Sequence, residues 1–218
     1  MPKKKTPKKM DLVDLYMDYV LENNERPTSV YQFSKLNNFE EPKFYEHFSS
    51  FEALEAYIFV AFCEHTVQTL NNSQEYQTYD AKNKLLSFYF TFFENLTANR
   101  SFIMFALNEY KANLKQLKHL HPLKEAFASY LDTLDIKQIE LVKGQLLKMQ
   151  QKAMKEAAWV QLLLTLKFWM EDTSANFSKT DIYIEKSINT SFDIIDTTPI
   201  NSLVDFGKFI FKERFQTK

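Results

Sequence analysis

The sequence predicts an all-α protein, and three observations carry that reading. Only two glycines and six prolines occur in 218 residues, too few for the many tight turns of a β-sandwich or barrel. Hydrophobic residues make up 45% and charged residues 25%, the balance of a chain that folds around a core. The apolar residues recur at helical spacing. The single Cys63 excludes an internal disulfide framework and fits a reducing cytoplasm. No uncharged apolar run reaches 18 residues, so no transmembrane span is expected. The Lys-rich start lacks the apolar core of a signal peptide.

Residues 1–10 read as a disordered basic tail carrying Lys3, Lys4, Lys5, Lys8 and Lys9 and interrupted by Pro2 and Pro7. Leu12, Leu15, Tyr16, Tyr19 and Val20 then trace an amphipathic helix, with Asp11, Asp14 and Asp18 opposite. Asn23 to Pro27 end it. Ser29 with Gln32 forms a capping-box pattern for a second helix, whose inner face is Val30, Phe33 and Leu36. Asn37 and Asn38 supply a stop that tolerates the left-handed conformation. Pro42 suits the first turn of a short third helix bearing Phe44, Tyr45 and Phe48, and Ser49 or Ser50 caps a fourth that runs to about residue 70. The body follows from about Gln77. Leu85, Phe88, Tyr89, Phe92, Phe93 and Leu96 form one stripe; Phe102, Met104, Phe105, Leu107 and Tyr110 a second; Leu123, Phe127, Tyr130 and Leu134 a third. Residues 137–171 read as one or two helices with Gly144 a weak point. Residues 181–195 read as another helix, and Pro199 opens a terminal one.

Two short helices separated by about four residues, with apolar residues at both ends of the turn, make a helix-turn-helix. The run Lys43-Phe44-Tyr45-Glu46-His47-Phe48, followed by Ser50, Glu52 and Leu54, resembles the TetR signature: a recognition helix ending in Tyr-x-x-Phe and running into a Ser-x-Glu-x-Leu helix start. Ser29, Val30, Phe33 and Ser34 stand where that family has Thr-Val-x-x-Ile-Ala. The resemblance spans residues 11–60. It implies a TetR-like architecture: a three-helix head over residues 11–60 and a ligand-binding, dimerising helical body over 61–218. It also implies a ligand-responsive transcriptional regulator that meets DNA through Ser29, Lys43, Tyr45 and His47.

Catalytic and metal-binding patterns are absent. His47, His65, His119 and His121 are the only histidines. Cys63 and His65 lie two apart on a helix and point in different directions, so they are no ligand pair. Two glycines cannot build a phosphate loop, and no nucleophile elbow or HExxH pattern occurs. The reading is a non-enzyme without cofactor or metal. The 21 Phe and 11 Tyr are the stronger signal. Phe88, Phe92, Phe102, Phe105, Trp159, Phe168 and Trp169 are candidates to line an apolar pocket for a small molecule or lipid; the simpler reading is core packing. The resemblance places a homodimer interface on the penultimate helices, at Leu163, Leu166, Ile184 and Ile188. In the terminal helix Ile200, Leu203, Val204, Gly207, Ile210, Phe211 and Phe215 share one stripe. That stripe fits docking on the body, or weak contact with a membrane surface or a partner.

Charge opposes DNA binding. Between Asp11 and Val60, Arg26, Lys35 and Lys43 face ten carboxylates, a net of −7, whereas DNA-binding modules present a basic face. Glu40 and Glu41 open the recognition helix, where carboxylates meet phosphates or acceptor-rich base edges. The lysine tail is the one element able to add backbone or minor-groove contacts. The alternative is a TetR-fold protein without DNA binding that acts as a lipid or isoprenoid carrier, as the lipid-binding protein of ubiquinone biosynthesis does.

Overall fold

The structure is a computed structural model that describes residues 6–107, 120–136 and 145–196. Among these residues there are ten α-helices and no strand, as the composition requires. The terminal stripe from Ile200 to Phe215 lies outside the described residues, as do Tyr110, His119 and Gly144.

The first helix, α1, spans Lys9–Asn23. It therefore begins inside the stretch read as tail. Two contacts account for this: the Lys8 N–H donates to the Asp11 carboxylate at 2.8 Å, and the Lys9 ammonium lies 3.4 Å from the Tyr57 ring centroid, a cation–π contact that anchors the first turn. Leu12, Val13, Tyr16 and Val20 are buried while Asp11, Asp14 and Asp18 face out. Asn24 ends α1 in the left-handed region at φ 53°.

Helix α2 is Val30–Leu36. Ser29 caps it by accepting from the Gln32 N–H at 3.1 Å, but only half of the expected box forms, because the Gln32 side chain accepts from the Thr28 hydroxyl instead. The turn to α3, Glu41–Tyr45, uses Asn38 at φ 56°, the conformation that asparagine tolerates. Helix α4, Phe51–Asn71, is capped by Ser50, which accepts from the Ala53 N–H at 3.2 Å. A short helix the periodicity does not signal, α5 (Gln74–Thr78), separates it from α6, Ala81–Ala98. Then come α7 (Arg100–Leu107), α8 (His121–Leu131), α9 (Gln145–Glu171) and α10 (Ser178–Asp196).

The chain divides into two compact units. The first holds Met1–Asn72 with Thr91–Tyr130. The head helices thus share a unit with the end of α6, with α7 and with most of α8, and α4 runs unbroken past residue 60. Phe33, with no solvent exposure, is the hub of this core. Its ring meets Tyr16, Tyr19, Phe39, Phe44 and Phe51 edge-on at 5.6–6.4 Å, the geometry aromatic quadrupoles favour. Beside it lies the one buried carboxylate of the head, Glu55. It accepts from Arg26 Nε at 2.8 Å and Nη2 at 3.0 Å, and from the Tyr16 hydroxyl. Burial first, and the Glu55 charge second, hold the Tyr16 phenol well above its ordinary range.

Cys63 on α4 is buried in the same unit. Desolvation, helped by the Glu64 charge, pushes its thiol up to about 12. A thiolate-directed reagent at neutral pH is therefore expected to leave Cys63 unmodified in the native protein and to titrate one thiol per chain in guanidinium. Native-state modification within minutes would show that the site opens.

The second unit comprises Ser73–Phe90 with Leu131–Lys218. Its frame is the α9–α10 hairpin. Asp172 sits between the two helices and is buried. Its carboxylate accepts from the Ser174 N–H and hydroxyl at 2.8 and 2.6 Å, and from the Thr180 N–H and hydroxyl at 2.9 and 2.8 Å. Desolvation pushes this carboxyl up, but the four donors outweigh it and hold it below the usual carboxylate range. Thr180 lies in the first turn of α10, so the anion also meets the positive end of that helix. Farther along, the Phe168 and Tyr183 rings stack at 4.6 Å. Gln161 donates to the Ser187 hydroxyl and accepts from Ser191, both at 3.2 Å. Rising numbers on one helix thus pair with falling numbers on the other, an antiparallel register. No described helix is long and apolar enough to cross a membrane.

Candidate functional site

Two places carry chemistry beyond packing. One is the outer face of the α2–α3 helix-turn-helix in the first unit. Phe33, Phe39 and Phe44 are buried behind it, which leaves Tyr31, Leu36, Tyr45 and His47 exposed on the outside. Of the residues expected to meet DNA, Ser29 is exposed but its hydroxyl is occupied as the α2 cap. Lys43 is half-buried, and its ammonium lies 2.6 Å from the Glu46 carboxylate. Tyr45 is 52% exposed, and its hydroxyl lies 3.4 Å from Glu41. The other head cations are engaged too: Arg26 on Glu55, and Lys35 over the Tyr31 ring at 4.8 Å. The acidic balance read from the sequence therefore reaches the surface as cations held by neighbouring carboxylates and rings.

The other place is a cavity of about 1280 Å³ in the second unit, walled chiefly by α9 and α10. Ala153, Met154, Ala157, Val160, Leu164 and Phe168 supply its α9 side, at the three- and four-residue steps that put them on one face. Ile182, Tyr183 and Ile194 supply the α10 side, and Leu85, Leu131 and Ile136 complete the apolar wall. Polar groups are few: Gln150, Gln161, Lys179, Lys186, Ser187, Thr190 and Ser191. A large apolar hollow with a few convergent polar groups is the form of a small-molecule site. Gln150 Oε1 is buried and has no hydrogen-bond partner among the described residues.

The aromatic residues singled out from the sequence do not come together here. Phe168 lines the cavity. Phe88 and Trp169 belong to the same unit but are fully buried and are not part of the lining; Trp159 is half-buried and also off it. Phe92, Phe102 and Phe105 belong to the first unit. Phe92 and Phe102 are core there, and Phe105 lies beneath the Arg26 guanidinium at 5.7 Å. For Phe88, Phe92, Phe102 and Trp169, core packing is what the structure gives. Three of the four residues expected at a homodimer interface are buried within the single chain. Leu166, Ile184 and Ile188 are 3%, 0% and 0% exposed within a single chain, so they hold the hairpin together and cannot form an outer face. Leu163 is half-buried. The exposed apolar side chains of these helices are instead Val160, Leu164, Ile182 and Ile194, at 45–53%, and all four border the cavity. The signal was present as a second stripe on α9, masked by the nearly continuous apolar run from 157 to 170.

Residues 84–210, more than half of the chain, match the family described as Tetracyclin repressor-like, C-terminal domain. No curated protein matches the chain.

Proposed function

Given that the chain belongs to the TetR family, we propose that it is a ligand-responsive transcriptional regulator acting as a homodimer. The observation that carries this reading is the apolar cavity, which lies within the part of the chain that matches the family's C-terminal domain. Its wall suits an apolar small molecule or lipid held by dispersion, with Gln161, Ser187 and Ser191 fixing orientation. On the head, Tyr45 at the end of α3 and His47 just after it face outward, and the lysines before α1 supply positive charge beyond the Lys43 that Glu46 holds. Because Lys43 is held by Glu46, affinity rests on the tail and on Tyr45 more than on Lys43.

Selection of genomic fragments at about 50 mM salt, where electrostatic binding is strongest, is expected to recover a palindromic site, and Tyr45→Ala with His47→Ala is expected to abolish its enrichment. No enriched site at that salt would overturn the DNA half of the proposal.

The engaged cations and acidic face favour a second reading: the same body without DNA binding, working as a lipid or isoprenoid carrier. Native mass spectrometry of gently purified protein then finds a co-purifying lipid and the fragment selection finds nothing. A regulator gives the enriched site whether or not a ligand co-purifies.

A further inference from the structure

We propose that the cavity selects an anionic amphiphile, a linear apolar chain whose carboxylate or phosphate head lies at Lys179 and Lys186. The proposal rests on reading the cavity as the ligand site, and it names the class of molecule that site takes.

Charge is the first argument. Among the described residues, the charged side chains of the lining are both cations, Lys179 and Lys186. Glu156, Glu171, Asp181, Glu185 and Asp193 lie on the same two helices, yet all stand off the lining. No described carboxylate is within ion-pair distance of either ammonium. Elsewhere cations are held: Arg26 by Glu55, Lys43 by Glu46 and Lys155 by Asp132. Two like charges over low-dielectric walls, with no counter-charge in the lining, focus a field that draws in an anion.

The available donors are the second argument. Lys179, Tyr183 and Lys186 follow at i, i+4 and i+7, so they share one face of α10. The stack on Phe168 holds Tyr183 in place. The neighbouring hydroxyls have already given their protons: Ser187 to the Ile184 carbonyl at 3.2 Å, Thr190 to the Lys186 carbonyl at 2.8 Å and Ser191 to the Ser187 carbonyl at 2.9 Å. They offer a ligand lone pairs, which an anion does not want. An anionic head therefore finds its donors at the two ammoniums, about one turn to either side of the Tyr183 hydroxyl.

The third argument is where the charge sits along the hollow. The antiparallel register of Phe168 with Tyr183, and of Gln161 with Ser187 and Ser191, puts Lys186 level with Leu164. From there the lining continues about 16 Å along α9 to Ala153. Met154, Ala157, Ile194, Leu131 and Ile136 wall that stretch. Cations at one end and apolar wall along the rest match the polarity of an amphiphile. Ala153, Ala157 and Ser187 leave the room for its chain, so the exposed rim of Val160, Leu164, Ile182 and Ile194 stays with the second copy of the homodimer reading.

The test titrates the full chain, stripped of lipid, by calorimetry with decanoate, decyl phosphate, decanol and decyltrimethylammonium, each below its micelle concentration. At least one anion is expected to bind about tenfold or more tightly than decanol, the combined effect of two exposed charge pairs. The cation should bind more weakly than decanol. Lys179→Met with Lys186→Met should remove the preference for the anion and leave decanol binding unchanged, which also shows that the variant is folded. The two arginine replacements should keep the preference. Lys167→Met, the same loss of charge at an exposed α9 position off the lining, should leave it unaltered. Equal affinity for anions and decanol overturns the proposal, as does a preference that survives the double methionine variant; either leaves the cavity standing as a ligand site. If none of the four binds, the ligand-site reading falls as well. Light scattering should give one molar mass with and without the anion, and an anion that splits the assembly overturns its placement in the hollow.

Discussion

Glu55→Ala is expected to lower the unfolding free energy by about 3–5 kcal/mol, the range for breaking one side of a buried ion pair. The carboxylate is 5% exposed and receives both Arg26 donors and the Tyr16 hydroxyl. Its removal leaves a phenol that is fully buried with no acceptor in reach, and a guanidinium lodged over Phe105. Arg26 keeps 28% exposure, so water recovers part of its solvation and the loss belongs mainly to the Tyr16 side. Two further variants separate the contributions. Glu55→Gln keeps an acceptor for Tyr16 but removes the charge, and should fall midway. Arg26→Met with Glu55→Leu removes both charges together and should cost less than the two single changes summed. Urea unfolding reads all of them as a shift in midpoint at constant slope. A loss below about 1 kcal/mol for Glu55→Ala would mean that water takes the carboxylate's place. A domain stable by only about 5–15 kcal/mol gives up a large share of its margin at this one residue.

That network shows where sequence reading stops. Capping residues, the Asn38 stop and the inner faces of α1 and, apart from Leu36, of α2 were legible because each is a local pattern within one or two helical turns. Leu36, read as inward, is 62% exposed, and Ser34 takes the buried place. The Tyr16–Glu55 contact joins residues 39 apart and Arg26–Glu55 joins residues 29 apart. Its neighbours Leu54, Ala56, Ile58 and Phe59 are buried, but a carboxylate in the first turns of a helix ordinarily faces solvent, and no local pattern marks Glu55 as the exception. The same limit explains the cavity. Periodicity gives a helix's apolar face, but α9 is apolar around much of its circumference, and only its pairing with α10 decides which side is core. Leu166, Ile184 and Ile188 took the core side, and Val160, Leu164 and Ile182 the open one. The large rings were a poor guide to a pocket for a related reason: their bulk fills space, and a hollow remains where Ala153, Ala157 and Ser187 leave room. Small residues at helical spacing were the better marker, and they are quiet in a composition dominated by phenylalanine.

Phe33→Ala should produce a loss as large, about 3–5 kcal/mol, but of different origin and with a different consequence. No polar partner is involved; the change deletes the ring against which five others pack edge-on. Those five come from α1, from the turn before α3, from α3 and from the start of α4, so they have little freedom to collapse into the void, and a cavity that cannot collapse costs the most. Phe33→Leu isolates the ring geometry. It keeps most of the volume and should lose less than about 1.5 kcal/mol by packing alone. Each edge-on pair contributes about 0.5–1.5 kcal/mol beyond burial, so a Leu variant that loses clearly more than the packing figure reports the aromatic cluster itself. The cluster also sets how α3 is presented, because Phe33 on α2 touches Phe44 on α3 and Phe51 at the start of α4. Phe33→Leu should therefore weaken recognition of any DNA site found by selection while leaving Tyr45 and His47 unchanged in sequence. If DNA affinity stays at the wild-type level while stability falls, the angle of α3 is set by the α3–α4 turn and not by the ring at its back.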